Sequence, residues 1–238
     1  MRRATLQTDA LSHSALTGVA LGVWLGITPL ITTLLYTTIC SVIVEHLRHF
    51  KRLSIDTLLS LFFSANLAIA IYLLSLSHGF TSNLNRYLFG SVTLIGQQDL
   101  YLLIIVCAVI CLSTVIFWRH FWKVLIDEEG TKVAGAPVQL INIFLAILIG
   151  GGITASLTIV GLLLVGTLLV IPLLISGQAA RSFRSTIVYA EIISVCTTLV
   201  GIIASYYSNI PASALITGIL ILLFLTVLGI KRFYRRVY

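Results

Sequence analysis

Charge is scarce in this sequence. Asp, Glu, Lys and Arg make up 10% of its 238 residues, whereas a soluble domain carries roughly a quarter. So little charge cannot cover a wetted surface, which excludes a water-soluble enzyme, a secreted disulfide scaffold and a disordered chain together. The 4 cysteines, Cys40, Cys107, Cys111 and Cys196, all lie in apolar stretches, where a free thiol packs as a small hydrophobe. Cys107 and Cys111 share a helix face, and packing accounts for them more simply than a metal pair does. A phosphate-binding loop is also missing. The one G-x-x-x-x-G, Gly161 to Gly166, lacks its lysine and sits inside an apolar run, so any ATP hydrolysis belongs to another polypeptide and this chain is no enzyme.

What replaces charge is hydrocarbon: 58% of residues are hydrophobic and the mean hydropathy is +1.08. Crossing ~30 Å of hydrocarbon takes ~20 residues of helix. Stretches of about that length run at 10 to 26, 29 to 45, 55 to 77, 98 to 118, 138 to 154, 157 to 175, 186 to 207 and 211 to 231. An all-α, polytopic membrane bundle of about eight helices is expected, forming one transmembrane domain over 1–238. The run from 138 to 175 would be about 57 Å long as one helix, so it must break. Gly150, Gly151 and Gly152, followed by Thr154, Ser156 and Thr158, are the expected place.

The formal charge of +7 reads as topology, not as a nucleic-acid footprint. Arg2 and Arg3 precede the first span; Arg48, Lys51 and Arg52 follow the second; Arg119, Lys123 and Lys132 follow the fourth. Arg181 and Arg184 follow the sixth, and Lys231, Arg232, Arg235 and Arg236 close the chain. Eight alternating crossings with both termini cytoplasmic put all of these inside and leave Arg86 alone outside. Arg119 to Pro137 is expected to be an interfacial amphipathic helix, and Asn83 to Gly90 a short external one.

Two places depart from an apolar span. In Asp9-Ala-Leu-Ser-His13 the carboxylate and the imidazole are one turn apart and share a face. Such a pair either takes part in holding a divalent cation such as Zn²⁺ or Mn²⁺, or forms a local cap at a helix end. On the same helix Ser14, Gly18, Gly22 and Gly26 form a small-residue stripe on the opposite side, suited to close helix packing. The second place runs from Val170 to Thr186. Pro172 is expected to break the helix, Gly177 to permit a reversal, and a short helix at the cytoplasmic surface to follow. Phe183 with Arg181 and Arg184 is either a docking knob for a soluble partner or a basic turn that serves topology.

The order Asp9-Ala-Leu-Ser-His13, Ile55-Asp56-Thr-Leu, Tyr87-Leu-Phe-Gly90, then Val160-Gly161 to Pro172 and Ala179-Ala-Arg181 resembles the permease subunits of bacterial ATP-binding-cassette importers for zinc, manganese or iron. It looks closest to the zinc permeases, through Asp9 to Gly22, and the likeness runs over nearly the whole chain. The resemblance implies a type II-like importer permease fold in the bacterial plasma membrane. It implies a homodimer with two cytoplasmic ABC ATPases, fed by an external metal-binding protein or lipoprotein. Zn²⁺, Mn²⁺ or Fe²⁺ would be cargo, no cofactor would be bound permanently, and ATP would act through the partner. By the same resemblance Asp9 and His13 fall on the metal pathway. Gly177, Gln178, Ala179, Arg181, Ser182, Phe183 and Arg184 fall on the coupling helix that enters the ATPase. Two departures stand out. Members carry another apolar helix ahead of the Arg2-Arg3 position, so this sequence reads as one helix short. Ser64 stands where some zinc-type members have histidine. A secondary, ion-coupled transporter using Asp9, His13 and Glu191 as a relay is the competing expectation.

Overall fold

The structure, a computed structural model, describes residues 2–47, 54–77, 96–180, 182–208 and 210–237, and only the backbone of 2–8, 55, 163, 179 and 230–237. Among the described residues every regular element is a helix. Eight long helices fall on the eight expected spans. They are α1 (Arg2–Leu25), α2 (Pro29–Leu47), α3 (Ile55–Leu76), α4 (Gln97–Ile126), α6 (Val138–Val160), α7 (Leu162–Ala179), α8 (Phe183–Ser208) and α9 (Ala212–Val237), with the short α5 (Glu128–Val133) between α4 and α6. Six of the eight, α2, α3, α4, α6, α8 and α9, are long and apolar enough to cross a membrane, and α7 has a shorter apolar stretch, Leu164–Gln178. The expected short helix over Asn83 to Gly90 lies outside the described residues.

Contacts group the chain into two compact units, one built from α1 to α6 and one from α7 to α9. In the first, α1 packs along both α2 and α3, which scarcely touch each other. The small-residue stripe explains one side of this arrangement. A Cβ on Gly18 would lie 2.6 Å from the Thr33 Cα, and one on Gly22 would lie 2.7 Å from the Pro29 Cα, so only hydrogen lets α2 come this close. Gly26 does something else. Its φ of +67° ends α1, with Ile27 N–H donating to the Gly22 carbonyl at 3.0 Å and Gly26 N–H to Val23 at 3.4 Å, the paired bonds of a Schellman turn. Pro29 then opens α2, where its missing N–H costs nothing.

The expected break at Gly150 to Gly152 does not occur, because α6 runs straight through them. Gly150 instead tucks against α2, where a Cβ would meet Ser41 Oγ at 2.9 Å and the Thr37 carbonyl at 3.1 Å. Thr154 and Thr158 donate to the carbonyls of Gly150 and Thr154 at 3.0 and 2.9 Å, which satisfies their hydroxyls within the helix. The break comes at Gly161, whose φ of 86° and ψ of 160° belong to a region essentially reserved for glycine.

The expected interfacial helix over Arg119 to Pro137 is also redrawn. Phe117 to Lys123 continue α4, which at 30 residues is about 45 Å long and outreaches the hydrocarbon core. Trp118 stacks on Trp122 with centroids 5.6 Å apart. Only α5 stands apart, capped by Asp127 Oδ1, which accepts from Gly130 N–H at 2.8 Å. In the second unit Leu164, Ile216 and Leu220 form the centre of α7, α8 and α9. Gly201 of α8 lets Ile216 approach, since a Cβ there would stand 3.2 Å from the Ile216 Cα.

Candidate metal pathway and coupling segment

Asp9 and His13 lie well inside α1, which begins at Arg2. That placement removes the capping alternative: a carboxylate two turns into a helix has no free N–H groups to cap. Asp9 is exposed and His13 half-buried. The His13 ring stands edge-on to Phe63 of α3, centroids 4.2 Å apart and planes at 65°, while its Nδ1 is buried with no hydrogen-bond partner. A buried orphan nitrogen next to an exposed carboxylate on the same face offers two donor atoms of zinc-compatible type. Among the described residues no group of three or more His, Cys, Asp and Glu comes together to hold a metal ion, so those residues offer at most this pair. Ser64 is exposed on α3 next to Phe63, and Glu191 is exposed on α8.

Sequence reasoning passed over Asn66, a side chain 3% exposed in the middle of an otherwise apolar α3. Its side chain and its backbone between them take partners from two other helices. Tyr36 Oη of α2 donates to Asn66 Oδ1 at 3.0 Å and Thr17 Oγ1 of α1 donates to the Asn66 backbone carbonyl at 2.8 Å. A lone amide in an apolar span was the available signal, because lipid offers it no partner. A groove of about 280 Å³ lies elsewhere in the first unit, lined by Glu45, His46, Gln139 and Asn142 among others, and does not include Asp9 or His13.

The segment from Val170 to Thr186 differs from expectation. Pro172 sits inside α7 without ending it, and Gly177, Gln178 and Ala179 are its last turn. The chain leaves the helix at Ala180, with φ −79° and ψ 141° and its N–H still bonded to the Ser176 carbonyl. No separate short helix stands between α7 and α8 among the described residues. The reason is a reciprocal cap that opens α8 at once. Ser185 N–H donates to Ser182 Oγ at 3.3 Å and Ser182 N–H to Ser185 Oγ at 3.1 Å, an arrangement equivalent to a capping box. Phe183, 49% exposed, and exposed Arg184 therefore sit on the first turn of α8. Arg181 lies outside the described residues. Around Gly177 a Cβ would meet nothing within 4 Å.

Residues 1–231 match the ABC 3 transport family. The chain belongs to that family. Among its relatives, a protein of Treponema pallidum named "Probable metal transport system membrane protein" is 31% identical over 236 residues, covering 98% of this chain and 88% of the relative. The high-affinity zinc uptake system membrane protein ZnuB of Haemophilus influenzae is 33% identical over 205 residues, covering 86% and 78%. Among solved structures, PsaBC from Streptococcus pneumoniae in complex with Fab superposes with a TM-score of 0.80 at 25% identity, over 94% of this chain and 80% of that one. This permease is thus a multi-pass membrane subunit of an ABC transporter, not itself an enzyme. The ion-coupled carrier reading falls with that assignment.

Proposed function

We propose that this permease forms the pathway of an ATP-driven importer of a divalent metal, zinc ahead of manganese or iron, in a bacterial plasma membrane. The observation that carries the reading is the pair Asp9 and His13, inside the most enclosed helix of the first unit, with Nδ1 of His13 buried and unpartnered. The zinc uptake role named for the Haemophilus influenzae relative favours that cargo. Zinc prefers four ligands and the described residues of one chain bring two together, so two copies of the permease, meeting across the pathway, would supply two such pairs. Two weak pairs also suit transport, because a site that binds cargo too firmly cannot release it.

In this reading residues 1–238 act as one permease domain. The basic ends of its helices favour a topology with both termini in the cytoplasm. A cytoplasmic ABC ATPase docks on Gly177, Gln178, Ala179, Arg181, Ser182, Phe183 and Arg184, with Phe183 as the apolar anchor and the two arginines around it. Gly177 leaves the end of α7 open for such a partner. ATP closes the ATPases, the helices change from outward-open to inward-open, and metal delivered by an external binding protein passes between the copies. No cofactor is held permanently; the metal is cargo.

The test is complementation of a strain lacking its own zinc importers, with this chain expressed alongside its ATPase. Zinc-dependent growth and uptake of labelled zinc are expected, and both should fail when the ATPase carries an inactive phosphate loop. Uptake that survives the inactive ATPase would overturn the reading.

A further inference from the structure

The Thr17, Tyr36 and Asn66 cluster lies one helical turn from the His13 to Phe63 contact. Thr17 is four residues beyond His13 on α1, and Asn66 three beyond Phe63 on α3, so both share the face of their neighbour. Thr17 is 0% and Asn66 3% exposed. Every polar atom of the Asn66 side chain is used in a way that ties helices together or fixes its rotamer. Oδ1 accepts from Tyr36 Oη at 3.0 Å, and Nδ2 donates to the Phe62 carbonyl of its own helix at 2.8 Å. The Thr17 hydroxyl reaches across at 2.8 Å to the Asn66 backbone carbonyl, a bond independent of the side chain at 66, and lies 3.3 Å from the His13 carbonyl.

Small-residue packing alone does not fix how far a helix is rotated about its own axis, because a stripe of hydrogen atoms tolerates sliding. Directional bonds do fix it, and in lipid they have no water to exchange with. We propose that Asn66 is a positioning residue: its side chain ties α3 to α2 through Tyr36 at the level where Thr17 ties α1 to the α3 backbone, so that Asp9 and His13 are presented together to the metal pathway. This rests on the reading of Asp9 and His13 as metal contacts. His13 has no partner of its own at Nδ1, so its orientation depends on the helix that carries it and on the Phe63 ring beside it. Both are held from the Asn66 level, which gives the cluster the role that outer-shell hydrogen bonds play in resident metal sites.

The experiment measures labelled-zinc uptake by the assembled transporter in membranes, for Asn66→Leu, Tyr36→Phe and the double variant. The readouts are the half-saturating zinc concentration and the zinc-to-manganese preference, each at matched permease level. Loss of positioning should raise the half-saturating concentration about tenfold for Asn66→Leu, the lower end of the effect of removing an outer-shell partner. A smaller rise is expected for Tyr36→Phe, and the double variant should be no worse than Asn66→Leu because both single changes remove the same Tyr36 to Asn66 bond. A merely structural role would lower the amount of transporter and the maximal rate, leaving concentration dependence and metal preference where they were. That pattern overturns the proposal. If Asn66→Leu fails to reach the membrane, Tyr36→Phe decides alone, and an unchanged half-saturating concentration overturns the proposal. Asp9→Ala and His13→Ala run in parallel. If they retain normal uptake, the pathway reading falls and the positioning role with it; if they abolish uptake while Asn66 and Tyr36 variants behave as the parent, only the positioning role falls.

Discussion

Helices α1 and α4 are each long enough to cross a bilayer, and the more polar one is the one inside. α1 carries Asp9, Ser12, His13, Ser14 and Thr17, yet from Ala10 to Ala20 every residue but His13 is buried. α4 reads as almost unbroken hydrocarbon from Leu100 to Trp118, yet is buried only at Leu103 and Val124. In water this order would be reversed. In lipid an apolar side chain gains nothing by leaving the solvent, whereas hydroxyls, amides and close-packed glycines do. Burial therefore follows polarity here: the helix that the protein encloses is the one with polar groups to shield from lipid.

That contrast can be broken by substitution. The largest stability effect is expected at Gly18. Its Cβ position lies 2.6 Å from backbone of α2, so Gly18→Leu must push the helices apart and should cost about 3 kcal/mol or more, seen as loss of the folded fraction in detergent by size-exclusion. Next is Gly161→Ala, which forces a Cβ into a glycine-only conformation at φ 86° for about 1–3 kcal/mol, read as a lower thermal midpoint. Ser182→Ala removes one half of the reciprocal cap on α8. It should cost about 1 kcal/mol and show as faster proteolysis at the α7 to α8 junction. Smallest is Leu112→Ala on α4, 64% exposed, expected to lie within about 0.5 kcal/mol of the parent. A larger loss at Leu112 than at Gly18 would reverse the comparison.

The eight helices were legible because ~20-residue apolar stretches between basic clusters need no tertiary information. The stripe on α1 was legible too, and Gly18 and Gly22 pack as its spacing implied. Gly26 shares that spacing but ends the helix, since spacing cannot distinguish a packed glycine from one at positive φ. The same ambiguity moved the break in the long run from Gly150 to Gly161: Gly150 is small because α2 passes over it, which only the fold reveals. Pro172 was over-read, because an interior proline does not end this helix. The Ser182 and Ser185 cap was under-read, although S-x-x-S ahead of an apolar run was visible. Asp9 and His13 were legible as a pair, whereas the capping alternative for Asp9 turned on its place inside α1. Asn66 needed the neighbouring helices to acquire meaning.

The most direct test sets the enclosed helix against the exposed one in a single measurement. Labelled-zinc uptake by the transporter is compared for Asp9→Ala and His13→Ala in α1 and for Asp99→Ala and His120→Ala in α4, all at matched permease level. The account predicts that each α1 variant abolishes uptake while ATPase co-purification is retained, and that both α4 variants transport as the parent does. Normal uptake by the α1 variants, or equal losses in the two helices, would contradict it.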